Sequence, residues 1–146
     1  FARGETYLAM AYLKRFAEGD RRVIVVNGEI IGASLRKPSD QGWICNVSSG
    51  GQSSRTDVSE AEIEAVSAIS PMLKREGVLI YGIDSLVDDY GIRRVTEINT
   101  YSVGGFYTLN TVLNDPDALP KTVSALYKHL SALGTAKSIL RPPEAA

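Results

Sequence analysis

The sequence predicts an α/β protein, α+β in detail, with an antiparallel sheet of four or five strands covered by two helices. The first supporting observation is a pair of strand-forming segments, Gly77–Val87 and Arg93–Thr100, joined by turn residues. The second is Asn27-Gly28 between two apolar runs. This is the strongest short hairpin signal, because a type I′ turn needs positive φ at both positions. The third is a pair of segments with apolar residues at helical spacing.

The composition is that of an ordinary globular protein and excludes several functional classes. The chain has 146 residues, enough for one domain with a core, and is 44% hydrophobic and 23% charged. A net charge of −1 gives no broad basic field for nucleic acid or an anionic membrane. No apolar run approaches the ~20 residues of a membrane helix. The single cysteine, Cys45, cannot form an internal disulfide, so we expect a reducing compartment, the cytoplasm.

The first hairpin brings four basic side chains to the same end of two strands. We predict strands at Val23–Val26 and Glu29–Leu35, with Arg21-Arg22 entering the hairpin and Arg36-Lys37 leaving it. A planar guanidinium binds phosphate oxygens bidentately and offsets the charge of a transferring phosphoryl group. The alternative is a set of solvated charges at strand ends, which these residues taken alone would favour.

The second hairpin collects oxygen ligands. Alternation places Glu97 and Asn99 on one face of the strand and Ile98 on the other. Antiparallel pairing sets Asp84 near Glu97, which gathers two carboxylates and an amide oxygen of the kind that Mg²⁺ prefers. A solvated acidic face is the competing interpretation. Burying a glutamate in an apolar-bounded strand is costly without a partner or a metal, and this favours a metal site.

A long loop, Pro38–Gln52, is the next functional candidate, because loops of this length in a compact domain often carry function. Asn46 offers both a donor and an acceptor, and Gly50-Gly51 lets the backbone pass close to a ligand. Cys45 suggests a nucleophile, but the only histidine, His129, lies in a predicted helix far along the sequence. We therefore expect a structural thiol.

Two amphipathic helices are predicted to cover the sheet. The first, Ser59–Glu76, begins with a capping box of Ser59 and Glu62 and ends at Gly77. The second, Asp115–Gly134, has a proline in its first turn. Their predicted apolar stripes are Ile63, Val66, Ile69 and Leu73 in the first helix, and Leu119, Val123, Leu126, Leu130 and Leu133 in the second.

Two shorter segments leave alternatives open, and the end of the chain is predicted to fray. The apolar run Tyr7–Leu13 is compatible with a strand, at the edge of the sheet, or with a helix. Phe106–Leu113 is predicted as a short helix or an extended segment that packs on the sheet. Residues 141–146 form the predicted tail.

Four motifs, in order along roughly residues 7–105, resemble one enzyme family. They are the hairpin Gly19–Glu29, Asn46 followed by Gly50-Gly51, Gly82-Ile83-Asp84, and Thr96-Glu97-Ile98-Asn99. This set resembles the ATP-grasp carboxylate–amine ligases, above all bacterial glutathione synthetase. The resemblance implies that residues 1–140 are the C-terminal half of an ATP-grasp fold. It also implies that the N-terminal half, with lysines that grip the nucleotide, is missing here and belongs to a longer enzyme.

The resemblance implies roles for individual residues. Asp84, Glu97 and Asn99 would hold Mg²⁺, or Mn²⁺ in its place. Arg22, with either Arg36 or Lys37, would contact phosphates during catalysis. The remaining implied contacts are Tyr12 and Leu13 at the adenine, Asp20, Asn46, Gly50 and Gly51 around ATP and the first substrate, and Ser102, Gly104 and Gly105 near the second substrate.

The implied function is ATP-dependent ligation of a carboxylate to an amine through an acyl phosphate. The expected partners are small-molecule or short-peptide substrates, the missing half, and further copies in a homo-oligomer. Two alternatives stay open: a half-domain acting as a structural or partner-binding module, and an ATP-grasp peptide ligase with another substrate. Ile44, where the family has an arginine, bears on this choice. For the ligase, we expect Asp84→Ala or Glu97→Ala to abolish metal-dependent nucleotide binding and leave folding nearly intact.

Overall fold

A computed structural model describes residues 4, 6, 9–39, 45, 51–101 and 103–134. In these ranges five antiparallel strands form one sheet, in the order β3-β2-β1-β4-β5. The strands are β1 (Asp20–Val26), β2 (Glu29–Lys37), β3 (Gln52–Arg55), β4 (Ile80–Val87) and β5 (Arg93–Asn99), and the helices are α1 (Glu60–Arg75) and α2 (Ala118–Ala132). A 3₁₀ turn lies at Phe16–Glu18 and a π-helical segment at Thr108–Val112. The predicted antiparallel sheet with two covering helices is confirmed.

Both predicted hairpins are confirmed. Asn27 and Gly28 have φ angles of 51° and 79°, as a type I′ turn requires, and β1 pairs with β2 along its whole length. In the second hairpin, β4 pairs with β5 so that Asp84 lies opposite Glu97. The two hairpins meet through antiparallel pairing of β1 with β4. This pairing joins residues that are far apart in sequence and forms the centre of the sheet.

The two helices cover opposite faces of the sheet, so the protein has two cores. The core under α1 contains Val23, Val25, Ala33, Val66, Leu73, Tyr81 and Ile83. The core under α2 and the π-helical segment contains Ile24, Val26, Ile31, Leu109, Ala118 and Ala125. Alternate residues of β1 therefore point to different cores. By the same alternation, Arg22 and its register partner Asp84 lie on the face that carries Ile24, the α2 face.

The buried face of α1 differs in part from the predicted stripe. Val66 and Leu73 are buried as predicted, but Ile63 is 47% exposed. Two polar residues, Glu62 and Ser70, are buried instead. Polar groups are buried at low cost when they find partners, and both do so: Glu62 accepts a hydrogen bond from a hydroxyl of β4, and Ser70 shares one with a tyrosine of the same strand. Hydrophobicity alone therefore misplaced this face by one position.

The predicted stripe of α2 was wrong over most of its length. Leu119 and Val123 are each 58% exposed and Leu133 is 62% exposed. The residues that face the sheet are Ala118 and Ala125, which are 2% and 0% exposed. Alanines allow a helix to lie close to a sheet, and larger side chains at these positions would hold it away. Leu126 packs against this core, but three of the five predicted residues, Leu119, Val123 and Leu133, are exposed.

Two other segments depart from the sequence predictions. Gln52–Arg55 pairs with β2 as an edge strand, although no strand was predicted there and Gln52 was assigned to the end of a loop. Residues 9–13 form neither of the two alternatives predicted for Tyr7–Leu13, and Tyr12 is 68% exposed with its ring against Phe16. Within the described ranges, no helix combines the length and apolar character that crossing a membrane requires.

Candidate functional site

Polar side chains form a row across the α2 face of the sheet, which we call the polar row. Its members are Arg36 on β2, Asp20 and Arg22 on β1, Asp84 on β4, and Glu97 and Asn99 on β5. Strand register brings them together, because Asp20 lies opposite Arg36, Arg22 opposite Asp84, and Asp84 opposite Glu97. Directly opposed residues share a face of the sheet. Six of the residues implied by the family resemblance therefore lie on one surface.

The centre of the polar row is a buried network of ion pairs. Asp84 is 5% exposed, and its Oδ1 accepts a hydrogen bond of 2.7 Å from Nε of Arg22, whose Nη2 bonds to Oδ2. Arg36 is 6% exposed and donates to both oxygens of Asp20, at 2.7 and 2.6 Å. Nη2 of Arg36 also lies 3.2 Å from Oδ2 of Asp84. Nδ2 of Asn99 donates to the same oxygen at 3.2 Å.

The charges of this network balance. Two guanidinium groups face two carboxylates, so the four side chains sum to zero, and exposed Glu97 adds one negative charge at the edge of the sheet. Burial opposes the charge of Arg36, but the hydrogen bonds that it donates to Asp20 and the attraction of Asp84 outweigh this effect and raise the pKa of Arg36. Arg36 therefore keeps its positive charge. Buried pairs of this kind hold their members in fixed positions.

Of the two candidates for the second basic residue of the site, the structure favours Arg36 over Lys37. Arg36 belongs to the polar row, whereas Lys37 is exposed at the end of β2 and strand alternation places it on the other face. One premise of the sequence argument was wrong. Glu97 is exposed rather than buried, because β5 is an edge strand on which Val95 and Ile98 are 41% and 40% exposed.

The two glycines after β5 lie against Arg22. A Cβ atom on Gly105, which has φ of 121°, would lie 2.8 Å from Cδ1 of Ile24 and 3.4 Å from Cδ of Arg22. A Cβ atom on Gly104 would lie 3.6 Å from Nη1 of Arg22. A side chain at Gly105 would collide with Ile24, and one at Gly104 would lie in contact with the guanidinium, so both glycines allow the backbone to lie close to Arg22.

The other predicted loop residues have different surroundings. A Cβ atom on Gly51 would lie 2.5 Å from the carbonyl oxygen of Cys45 and 2.9 Å from that of Lys37, so its close backbone approach is to the chain itself. Tyr12 and Leu13 precede the 3₁₀ turn and are not part of the polar row. Predictions for Asn46, Gly50, Ser102 and Ile44 lie outside the described residues.

Sequence reasoning missed Ser53 of β3. It lies opposite Arg36 in the β2–β3 register and so extends the polar row by one strand. Its Oγ is buried and has no hydrogen-bond partner in the described part of the chain. No sequence signal pointed to Ser53, because β3 itself carries no strand-forming pattern.

The oxygen donors of the polar row fit a magnesium ion bound together with phosphates. Asp84, Glu97 and Asn99 present two carboxylates and one amide on adjacent strands. Among the described residues, no three His, Cys, Asp or Glu side chains form a group that could hold a metal by themselves. Mg²⁺ sites in nucleotide-dependent enzymes have this character, with one or two carboxylates and the rest of the shell from phosphates and water.

Cys45 fits a structural thiol rather than a nucleophile. Its side chain is 7% exposed, and burial raises the pKa of the thiol despite the nearby charge of Arg36. Because the thiolate is the reactive form, we expect iodoacetamide to alkylate the folded protein far more slowly at pH 7.5 than the urea-unfolded protein. Mass spectrometry gives a clean measure, since the chain has one cysteine. Equal rates in the two states would contradict this assignment.

A second concave feature lies away from these residues. A cavity of about 440 Å³ is bordered by β2, by residues 55–58 and by the start of α2. An ion pair of 3.1 Å between Arg55 and Asp115 lies at its wall, together with Lys121. Its lining contains no member of the polar row. The polar row is therefore the candidate site that the sequence and the structure share.

Comparison with solved structures gives the class of the fold. The D-cycloserine synthetase DcsG superposes with a TM-score of 0.58 at 16% identity, covering 82% of this chain and 41% of that protein. A RiPP-associated ATP-grasp ligase of Chryseobacterium gregarium, solved with ADP and a leader and core peptide, gives a TM-score of 0.53 at 18% identity, covering 77% and 34%. At these identities the likeness concerns the fold alone. The chain has the fold of an ATP-grasp ligase.

Sequence comparison gives the family. Residues 2–114 match the prokaryotic glutathione synthetase ATP-grasp domain, and the chain belongs to this family. The glutathione synthetase of Mesorhizobium japonicum is 37% identical over 101 residues, which are 69% of this chain and 31% of that protein. The glutathione synthetase of Parasynechococcus marenigrum is 32% identical over 109 residues, 75% and 34% of the two chains. The chain thus spans about a third of the length of these relatives, and the resemblance predicted from four motifs is confirmed.

Proposed function

We propose that this chain provides the metal- and phosphate-binding half of an ATP- and Mg²⁺-dependent ligase that joins a carboxylate to an amine. The polar row is the observation that carries the proposal. It places the buried guanidinium of Arg36 and the largely buried one of Arg22 beside the oxygen donors of the edge strand. Phosphoryl transfer requires fixed positive charge next to a metal site, because negative charge is spread over the oxygens of the transferring group. Membership of the glutathione synthetase family supports the same chemistry.

The proposed reaction has two steps. A carboxylate oxygen of the first substrate attacks the γ-phosphorus of ATP and displaces ADP, giving an acyl phosphate. The amine of the second substrate then attacks the acyl carbon, phosphate leaves, and an amide bond forms. Arg22 and Arg36 offset the negative charge of the phosphates in the first step. Asp84, Glu97 and Asn99 would hold Mg²⁺, which supplies Lewis-acid neutralisation of phosphate oxygens when bound.

The residues around Arg22 and Arg36 prepare both arginines for contact with phosphates. Gly104 and Gly105 add no side chain beside Arg22, so that phosphate oxygens are not blocked by one at these two positions. Asp20 and buried Asp84 hold the two arginines in place before the substrates arrive, which lowers the cost of ordering them. Preorganised charge is the main contribution that a protein makes to phosphoryl transfer.

The wider assignments belong to the same proposal. The substrates are a small-molecule or short-peptide carboxylate and amine, as for a ligase of the glutathione synthetase type. The N-terminal half of such a ligase closes the site from the other side of the nucleotide. The cytoplasm fits a chain with one cysteine that is buried and unpaired. A homo-oligomer completes the proposal and is tested by sedimentation at several protein concentrations.

Glu97→Gln is expected to abolish metal-dependent nucleotide binding with little effect on folding. Loss of a residue that only orients a metal ligand already costs about 10–100-fold in metal affinity, and loss of a ligand costs at least as much. Calorimetric titration with Mg²⁺ and a non-hydrolysable ATP analogue measures the effect, on this chain and on the longest protein that its gene encodes. Glu64→Gln, on the exposed side of α1, is the matched control. Unchanged binding in Glu97→Gln, or no binding by either wild-type protein at millimolar ligand, would contradict the proposal.

A further inference from the structure

The carboxylate of Asp84 already has several protein donors in the structure, most of them at Oδ2. Oδ2 receives Nη2 of Arg22, Nη2 of Arg36 at 3.2 Å and Nδ2 of Asn99 at 3.2 Å. Oδ1 receives Nε of Arg22 at 2.7 Å. A carboxylate accepts about four hydrogen bonds in all, and charge-assisted ones are the strongest. The central oxygen ligand of the proposed metal site is therefore occupied by four donors of the protein itself.

A divalent cation alone has little reason to replace these donors. It would have to approach Asp84 beside two guanidinium groups, whose charges repel it across a few ångströms in a buried environment. The side chain of Arg22 is only 16% exposed. Displacing it from Asp84 without a new partner would leave its charge uncompensated in a largely buried position. Mg²⁺ also gives up its water shell reluctantly. Each of these costs opposes binding of the metal by itself.

The two arginines differ in how firmly they are held. Arg36 has a second carboxylate, Asp20, which takes two of its nitrogens at 2.7 and 2.6 Å. For Arg22, Asp84 is the one carboxylate partner within the described residues. When Asp84 moves away, Arg36 loses only its longest ion-pair contact. Arg22 loses both of its hydrogen bonds to a carboxylate. Arg22 is consequently the group that must find a new partner when Asp84 turns to a metal.

We propose that Arg22 gates the metal site, so that the metal binds tightly only together with the nucleotide. Phosphate oxygens of the incoming nucleotide take the guanidinium of Arg22 from Asp84. The freed carboxylate then turns to the metal, while Arg36 stays on Asp20. Nucleotide and metal thus bind with positive coupling, and by linkage each raises the affinity of the other by the same factor. The proposal rests on the function proposed above and adds the order in which the site is assembled.

Mn²⁺ binding, measured by electron paramagnetic resonance of the free ion, tests the gate. In wild-type protein we expect weak Mn²⁺ binding alone and at least about tenfold tighter binding with a non-hydrolysable ATP analogue, after subtraction of the Mn²⁺ that the analogue binds in buffer without protein. In Arg22→Gln, Mn²⁺ alone should bind at least about tenfold more tightly than in wild type, and the nucleotide more weakly. The two affinities therefore change in opposite directions. Arg94→Gln, which removes an exposed positive charge paired with Asp88, is the control for general electrostatics.

Several outcomes would overturn the gate. The first is Mn²⁺ binding to Arg22→Gln no tighter than to wild type, which would make Arg22 a phosphate ligand only. The second is an equal gain in Arg94→Gln. Arg22→Lys keeps the positive charge and serves as the test if Arg22→Gln does not fold. Mn²⁺ alone should bind Arg22→Lys as weakly as it binds wild type. Tight binding of Mn²⁺ to Arg22→Lys would contradict the proposal. If neither the wild type nor any variant binds the nucleotide, the proposed function fails. The Mn²⁺ affinities of wild type and Arg22→Gln without nucleotide still decide whether Arg22 and the metal compete for Asp84.

Discussion

Replacing Glu62 with alanine is expected to lower the free energy of unfolding by about 3–5 kcal/mol, the cost of leaving one member of a buried ion pair without its partner. Glu62 is 1% exposed. Its Oε2 accepts hydrogen bonds from Arg21 at 2.6 Å and from the backbone N–H of Ser59 at 2.8 Å, and its Oε1 accepts one from the hydroxyl of Ser85. One side chain thus joins the start of α1 to β1 and β4. Urea unfolding followed by circular dichroism measures the loss.

Two comparisons make this expectation specific. Glu64→Ala, on the exposed side of the same helix, changes helix propensity in the same way and should shift stability by no more than about 0.5 kcal/mol. Equal losses in the two variants would contradict a role for the buried pair. The second comparison is the pH dependence of the stability difference between wild type and Glu62→Gln. Burial raises the pKa of Glu62, but the hydrogen bonds from Ser85, Ser59 and Arg21 outweigh it, and the folded-state pKa lies below the ordinary value.

The direction of the pH effect follows from this shift. A carboxyl with a lowered folded-state pKa stabilises the protein fully above its unfolded pKa of about 4.3, and loses that contribution as the pH falls through the folded value. The stability difference between wild type and Glu62→Gln should therefore be constant near neutral pH and shrink below about pH 4. A difference that persists unchanged into acid would show that the charge of Glu62 is not the source of its effect.

The parts of the fold that sequence reasoning predicted well are those fixed by local chemistry. Asn27-Gly28 adopts the positive φ angles that its turn needs, and the register of each hairpin follows from its turn. Gly77 closes α1 with φ of 78° for the same local reason. The failures are tertiary. β3 pairs with β2 although its residues Gln-Ser-Ser-Arg have no apolar alternation. The most buried residues of α2 are Ala118 and Ala125, because close approach to the sheet matters more there than side-chain size.

The candidate site shows the same division. That Asp84 and Glu97 lie opposite each other was predictable, because one hairpin sets both. The partner of Asp84 was not, since Arg22 is 62 positions away and reaches it through the pairing of β1 with β4. Sequence reasoning assigned the carboxylates to a metal and the arginines to phosphates as separate groups. The structure joins them into one network, in which Arg22 and Arg36 pair with Asp84 and Asp20.

This network changes the expectation for Asp84→Ala, which we now expect to lower the free energy of unfolding by about 3–5 kcal/mol as well as to abolish metal-dependent nucleotide binding. The alanine variant leaves the largely buried guanidinium of Arg22 without its carboxylate and removes one of the two partners of Arg36. The earlier expectation of nearly intact folding holds for exposed Glu97 and not for Asp84. Glu97→Ala should shift stability by about 0.5 kcal/mol or less.

The two carboxylates can therefore be separated by measuring stability and binding on the same samples. Asp84→Asn keeps the size of the side chain and one acceptor oxygen for Arg22, so it should fold more stably than Asp84→Ala, and binding per folded molecule is then measurable well below its midpoint of unfolding. We expect both Asp84→Asn and Glu97→Ala to lose metal-dependent nucleotide binding, with a stability cost in the first alone. If Asp84→Ala proved as stable as Glu97→Ala, the ion pairs of Arg22 and Arg36 with Asp84 would contribute nothing to folding. Such a result would remove the energetic support for the buried ion pairs on which the gate assigned to Arg22 rests.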